Sequence, residues 1–309
     1  MSNITTTKQS LVKKATKETF SMYLTKDAVK NQINTILGGK DGARFMTSIL
    51  SAVSTNPALA ECSHASIISG ALLGESLKLS PSPQLGQYYL IPFKNTKENT
   101  TTASFILGVK GYIQLAIRSG FYKTLNVLAI KDGELKSYNP LTEELEIDLI
   151  QDDEEREQVK TIGYYAMFEY NNGFRKSIYW SKKKMLSHAD KYSKAFSVKE
   201  IVSDNPAKSR VSFEDFENGN YPKEDAWKYS SFWYQNFDEM ALKTMLRQLI
   251  SKWGIMSIDL QKAYESDNAV INEDMRPTFV DSESGEEYTV SNSIEEVKKE
   301  KDDVFGDIE

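Results

Sequence analysis

The sequence predicts an α+β fold: a helical N-terminal part, then antiparallel β-hairpins packed with helices, then a disordered acidic C-terminal tail. Three observations predict it. Apolar residues recur at helical period up to about residue 79. Beyond that point, pairs of aromatic- and β-branched-rich runs are joined by polar or Gly-containing turns. From Asp281 the chain is acidic and short of large apolar residues. The 309 residues divide accordingly into a flexible or helical N-terminal arm (1–30), a core (31–258) and a C-terminal tail (259–309).

Each element has its own warrant. Lys26 to Ile36 reads as an amphipathic helical turn or two ending at the helix-stopping Gly38-Gly39 pair. Phe45, Ile49, Leu50 and Val53 set a second helix, broken by Asn56-Pro57. A third runs to Leu79, where Pro81 and Pro83 end it. Gln87–Phe93 and Ala103–Val109 form a hairpin across a polar loop. Lys110–Ser119 is a helix stopped by Gly120. Leu125–Ile130 and Glu134–Tyr138, joined by Asp132-Gly133, predict a second hairpin; Thr161–Tyr170 and Phe174–Trp180, joined by Asn172-Gly173, predict a third. Ser181 is a plausible N-cap for a helix carrying Met185, Ala189, Tyr192 and Phe196 on one stripe, with Lys184, His188, Lys191 and Lys194 on the next. Trp227–Trp253 is the strongest helical pattern, with Leu242, Leu246, Leu249 and Trp253 in register; Glu239, Lys243 and Arg247 form a separate row that suits a surface ion pair.

The net charge of −6 conceals opposed patches. Residues 281–309 hold 11 acidic and 3 basic residues, so the remaining chain has 35 basic against 33 acidic. Arg175 to Arg210 alone carries 10 basic and 3 acidic residues, while Glu143 to Glu157 is an acidic run. A polyanion responds to the local field rather than to the net charge. A basic hairpin, helix and loop in succession can converge on one groove; the alternative is a solvated helix face. The N-terminus lacks an apolar secretory segment and no run approaches the ~18 residues of a membrane span, so a cytoplasmic location is expected. The single cysteine, Cys62, excludes an internal disulfide and reads as a buried thiol. With two histidines it makes no zinc site of usual spacing. No phosphate-binding G-x-x-x-x-G-K-[ST] loop, G-x-S-x-G or H-E-x-x-H pattern occurs. The set Asp238, Glu239 and Lys243 keeps a metal-dependent nuclease as an alternative, with a structural filament-forming protein as another.

Three stretches resemble the RecT family of phage and prophage single-strand annealing proteins: GESLKLSPSPQLGQYYLIPF (Gly74 to Phe93), LGVKGYIQLAIRSGFY (Leu107 to Tyr122) and FWYQNFDEMALKTMLRQL (Phe232 to Leu249). The resemblance covers about Pro57 to Gly254. It implies that the core binds DNA in a basic groove and oligomerises as a ring or helical filament. It also implies annealing of complementary strands through an annealed duplex intermediate without ATP or any required cofactor, with Mg2+ as a modulator. The implied partners are single-stranded DNA, further copies of the chain, a 5′→3′ exonuclease from the same phage and a host single-strand binding protein, in a bacterial cytoplasm and without a membrane. No catalytic residue is expected.

An annealing protein should hold phosphates and leave base edges free. The candidate phosphate contacts are Lys110, Arg118, Lys182, Lys183, Lys191, Lys208, Arg210, Lys243 and Arg247. Lys110, Arg118, Lys243 and Arg247 come from the matching motifs. Tyr112, Tyr192 and Trp233 are candidate base or sugar neighbours, with core packing as the alternative for each. Arg118 has helix capping at Gly120 as its alternative, and Lys243 has pairing with Glu239. Gly108 and Gly111 suit a close backbone approach. The acidic tail, with Phe305 among its acids, is expected to mimic DNA in the groove or dock a basic partner.

Overall fold

The computed structural model describes residues 18–95, 99–280 and the backbone of the short strand 287–289. The expectations for Phe305 and for the rest of the acidic tail lie outside the described residues.

The N-terminal part is helical: α1 (Phe20–Leu24), α2 (Asp27–Leu37), α3 (Gly39–Thr55) and α4 (His64–Ser76). The Gly38-Gly39 pair ends α2 and α3 begins at once, with Gly38 at φ +80° redirecting the chain. All nine residues from Ser66 to Gly74 are buried, so α4 is a central helix without a solvent face. Cys62 lies buried just before it, and burial pushes its thiol up to about 11.

The strands β1 (Tyr88–Asn95) and β2 (Thr100–Leu107) form the first expected hairpin, followed by α5 (Val109–Arg118). Next come β3 (Tyr122–Lys131), β4 (Leu135–Asn139), β5 (Glu144–Ile147) and α6 (Asp153–Gln158). The chain continues through β6 (Thr161–Tyr170), β7 (Arg175–Ser181), α7 (Lys182–Tyr192), α8 (Phe213–Glu217), α9 (Phe232–Gln235) and α10 (Phe237–Trp253). It closes with α11 (Ile258–Glu265), β8 (Ala269–Ile271), β9 (Pro277–Val280) and β10 (Glu287–Thr289).

The described strands make three antiparallel sheets, ordered β1-β2-β8-β9-β10, β3-β6-β7 and β4-β5. The expected hairpin across Asp132-Gly133 does not form. The turn is present, but β3 pairs with β6 and β4 pairs with β5. The buried Glu134 carboxylate explains the divergence. It accepts the N–H groups of Lys131 and Ile150 and binds Arg156, while its own carbonyl accepts Asp148 N–H. The chain is pulled out of the β3 plane, and the apolar β6, with Tyr164, Ala166 and Phe168 buried, takes the place beside β3. The β6–β7 hairpin forms as expected.

The long helical pattern of 227–253 is interrupted at Asn236, which separates α9 from α10. Ala241, Met245, Leu246, Leu249 and Ile250 are buried on α10, which packs against β3, β6, β7 and α5. Residues 259–280 lie in the segment expected as tail. They form α11, β8 and β9, and β8 pairs with β2 and β9 inside the larger sheet.

Candidate nucleic-acid interface

Strand β7 runs directly into α7. Ser181 caps the helix, its hydroxyl accepting Lys184 N–H at 3.3 Å. Met185 and Ala189 are fully buried, which fixes the helix rotation and leaves Lys183, Lys184 and Lys191 exposed. Aromatic rings lie among these cations. Trp180 meets His188 at 5.3 Å between ring centroids, and His188 meets Tyr192 at 4.6 Å. Lys184 Nζ lies 4.5 Å from the Trp180 ring and Lys191 Nζ 5.1 Å from Tyr192, within cation–π range. Tyr192 is 68% exposed, although the period placed it on the core stripe. The helix ends there, so its ring lies beyond the packed face.

The C-terminal end of α10 extends this surface. Trp253 is 51% exposed and Lys176 Nζ stands 3.9 Å over its ring. Lys176 also pairs with Glu143. Burial, with Lys252 and Lys191 close by, holds the His188 imidazole below its ordinary range. Strand β7 and helix α7 therefore supply one row of three rings edged by lysines, and the end of α10 brings Lys252 close to it. Lys184, His188, Trp180, Lys252 and Trp253 were not among the expected site residues. Lys184 and His188 were visible in the helical stripe. Lys252 and Trp253 reach this place through the packing of α10 on β7, which leaves no local pattern.

The other expected residues separate by burial. Lys110, Lys183 and Lys208 are exposed. Lys182 turns the opposite way from its neighbours, onto Glu217 at 2.9 Å. It lines a cleft of about 580 Å³ together with Lys131, Lys160, Asp238 and Glu239. Arg118 donates to Leu77 O at 2.7 Å and Lys78 O at 3.5 Å, capping the end of α4, and also to Gln114 O of its own helix at 3.4 Å. Arg210 donates to Lys194 O at 3.5 Å while its backbone bridges Ile201. Trp233 is 8% exposed and packs on Phe237 and Phe196.

Tyr112, Lys243 and Arg247 converge on one buried carboxylate, Asp267. Asp267 Oδ1 accepts Lys243 Nζ at 2.8 Å and Leu107 N–H at 2.9 Å; Oδ2 accepts Arg247 Nη1 at 2.8 Å and Tyr112 OH at 3.1 Å. Tyr112 and Asp267 are buried, Lys243 is 7% exposed, and Arg247 stacks on Tyr264 at 4.2 Å. Burial lowers the pKa of Lys243 despite the carboxylate beside it, and raises that of Tyr112. The pairing of Lys243 with Glu239 is thus corrected: a buried acceptor with no competing water outcompetes an exposed one on the same helix. A phosphate can reach Lys243 only by opening this cluster. Nor do Asp238, Glu239 and Lys243 form one constellation, since Asp238 accepts Thr161 Oγ1 and Tyr164 OH. Gly108 and Gly111 do serve close approach, to this chain's own backbone. A Cβ at Gly108 would sit 2.1 Å from Gly86 O, and one at Gly111 2.1 Å from Gln87 O.

The RecT family model matches residues 43–281. The chain belongs to the RecT family. It is 37% identical over 265 residues to the uncharacterized protein YqaK of Bacillus subtilis (strain 168), an alignment that covers 84% of this chain and 78% of that protein. It is 27% identical over 213 residues to Protein RecT of Escherichia coli (strain K12), covering 68% and 65% respectively. RecT membership supports a protein of DNA recombination and strand annealing. The match extends past α11 and β9, in agreement with their place in the described fold. Among the described residues no helix is long and apolar enough to cross a membrane.

Proposed function

We propose that this RecT-family chain binds single-stranded DNA along the α7 surface and anneals complementary strands without ATP, as a homo-oligomeric ring or filament. The observation that carries the proposal is the row Trp180–His188–Tyr192 edged by Lys184, Lys191 and Lys252. Lysines hold phosphates irrespective of sequence, and the exposed Tyr192 ring, with the half-buried Trp180 and His188 beside it, accepts any base face. Watson–Crick edges stay free, as pairing with a second strand requires. Annealing is downhill in free energy, so it needs no nucleotide, and Mg2+ acts by screening. Lys110, Lys183 and Lys208 hold further phosphates outside the row. A 5′→3′ exonuclease of the same phage and a host single-strand binding protein are the proposed partners, in the bacterial cytoplasm.

Fluorescence quenching on annealing of two complementary oligonucleotides, without ATP, tests this. Wild type should accelerate annealing, and Lys184→Ala/Lys191→Ala/Lys252→Ala should forfeit most of the acceleration while remaining folded. The slope of log affinity against log salt should become shallower by about 0.7 for each phosphate the variant no longer holds. An unchanged slope would move the strand to another surface; no acceleration by wild type would end the annealing reading.

A further inference from the structure

On the outer face of the β3-β6-β7 sheet, the β4–β5 hairpin leaves a groove of about 610 Å³. Its apolar lining is Leu128, Leu145, Ile147, Leu149 and Ile150, none of which packs on the main core. Leu149 is 40% exposed. Two arginines also line it, and both are engaged: Arg156 with Glu134, and Arg175 with the Tyr165 hydroxyl. Asp153 lines it, and the segment that forms this wall is acidic in sequence: nine of the fifteen residues from Glu143 to Glu157 are acidic and Arg156 is the one basic residue. The groove borders β3, a ten-residue strand that pairs only with β6 among the described residues. A long open edge of this kind offers unpaired backbone groups to another segment.

Residues 1–17 have the complementary chemistry. They carry Lys8, Lys13, Lys14 and Lys17 and no acidic residue, with Ile4, Leu11 and Val12 as apolar anchors. Seventeen residues span at most roughly 60 Å, enough to cross to a neighbouring molecule. We infer that the N-terminal arm of one copy seats in the β4–β5 groove of the next, with Leu11 and Val12 in the apolar lining and the lysines against the acidic wall. The contact is heterologous, so repeating it generates a ring or a filament. It would join copies of the homo-oligomer proposed above, and its test does not depend on annealing, so either reading can fail alone.

The test uses full-length chains bearing one added cysteine each. Cys62 is buried and does not compete. Gln9→Cys protein is mixed with Gln151→Cys protein, whose added thiol lines the groove, and treated with a flexible bis-maleimide. The control partner is Val202→Cys, at a position 84% exposed and not among the residues that line the groove. A mixed dimer linked through position 151 and not through 202 is expected. Adding Leu11→Asp/Val12→Asp to the arm, outside the described fold, should reduce its yield by at least about tenfold (~1.4 kcal/mol). Equal linking to 151 and 202, or a yield insensitive to the arm substitutions, would overturn the inference. So would links confined to single chains that carry both cysteines.

Discussion

Replacing Asp267 by alanine removes the one carboxylate that Lys243, Arg247, Tyr112 and the Leu107 N–H all share. The side chain is buried, so water cannot replace it, and two cations are left facing each other. Breaking a buried ion pair from one side costs about 3–5 kcal/mol, because the remaining charge keeps its desolvation penalty. A native domain has only about 5–15 kcal/mol of stability. At about 2–4 °C per kcal/mol for a chain of 150–250 residues, the melting temperature should fall by roughly 6–20 °C. Thermal and urea unfolding followed by circular dichroism would measure it. Lys243→Met should cost less, because it leaves the Asp267–Arg247 pair intact, and Lys243→Met/Asp267→Ala should be less destabilised than the sum of the two. Additive effects, or an Asp267→Ala variant within about 1 kcal/mol of wild type, would refute the idea of a shared buried counter-charge. A folded Lys243→Met protein should also keep the wild-type salt slope of DNA binding, since its ammonium serves Asp267.

Three further outcomes follow from the same geometry. Burial alone would raise the Glu134 pKa, but the Arg156 hydrogen bond and the N–H groups of Lys131 and Ile150 lower it below 4.5. Its stabilisation is therefore complete above pH 4.5 and disappears as pH falls through the folded value; Glu134→Gln should cost about 1.5–3 kcal/mol at neutral pH and show a flatter acid limb in urea titrations. His188, held below its ordinary 6.5, is uncharged at neutral pH; a bound phosphate favours its protonation, so single-strand affinity should rise as pH falls from about 7.5 to about 5.5, and His188→Phe should abolish that rise in anisotropy titrations. Gly111→Ala should cost about 1–3 kcal/mol by calorimetry, because the added methyl meets the backbone oxygen of Gln87.

The elements with local signatures were legible in the sequence. The β1–β2 and β6–β7 hairpins, the Ser181 cap and the buried Met185 and Ala189 all follow from turn chemistry and period. Asp132-Gly133 signals a turn, but which strand then pairs was decided by the buried Glu134 cluster and by the more apolar β6. The motif positions Lys243 and Arg247 were found, but their partner was not. Asp267 lies 24 and 20 residues further on, past the end of any helical register, in a segment whose apolar pattern is weak. The aromatic row was half legible: α7 was marked by its lysines, while Lys252 comes beside it only through tertiary packing.

The placement of β8 and Asp267 bears on biosynthesis. Asp267 bonds Leu107 across 160 residues, and β8 lies between β2 and β9 in the larger sheet. Until that late segment has left the ribosome, β2 has an open edge and the cations of α10 lack their carboxylate. At about 5–20 residues per second, the interval between emergence of β2 and of β8 lasts roughly ten to thirty seconds. The nascent chain must spend that time with its sheet unfinished, so a stop codon after α10 would yield a product prone to aggregation and not simply a tailless protein.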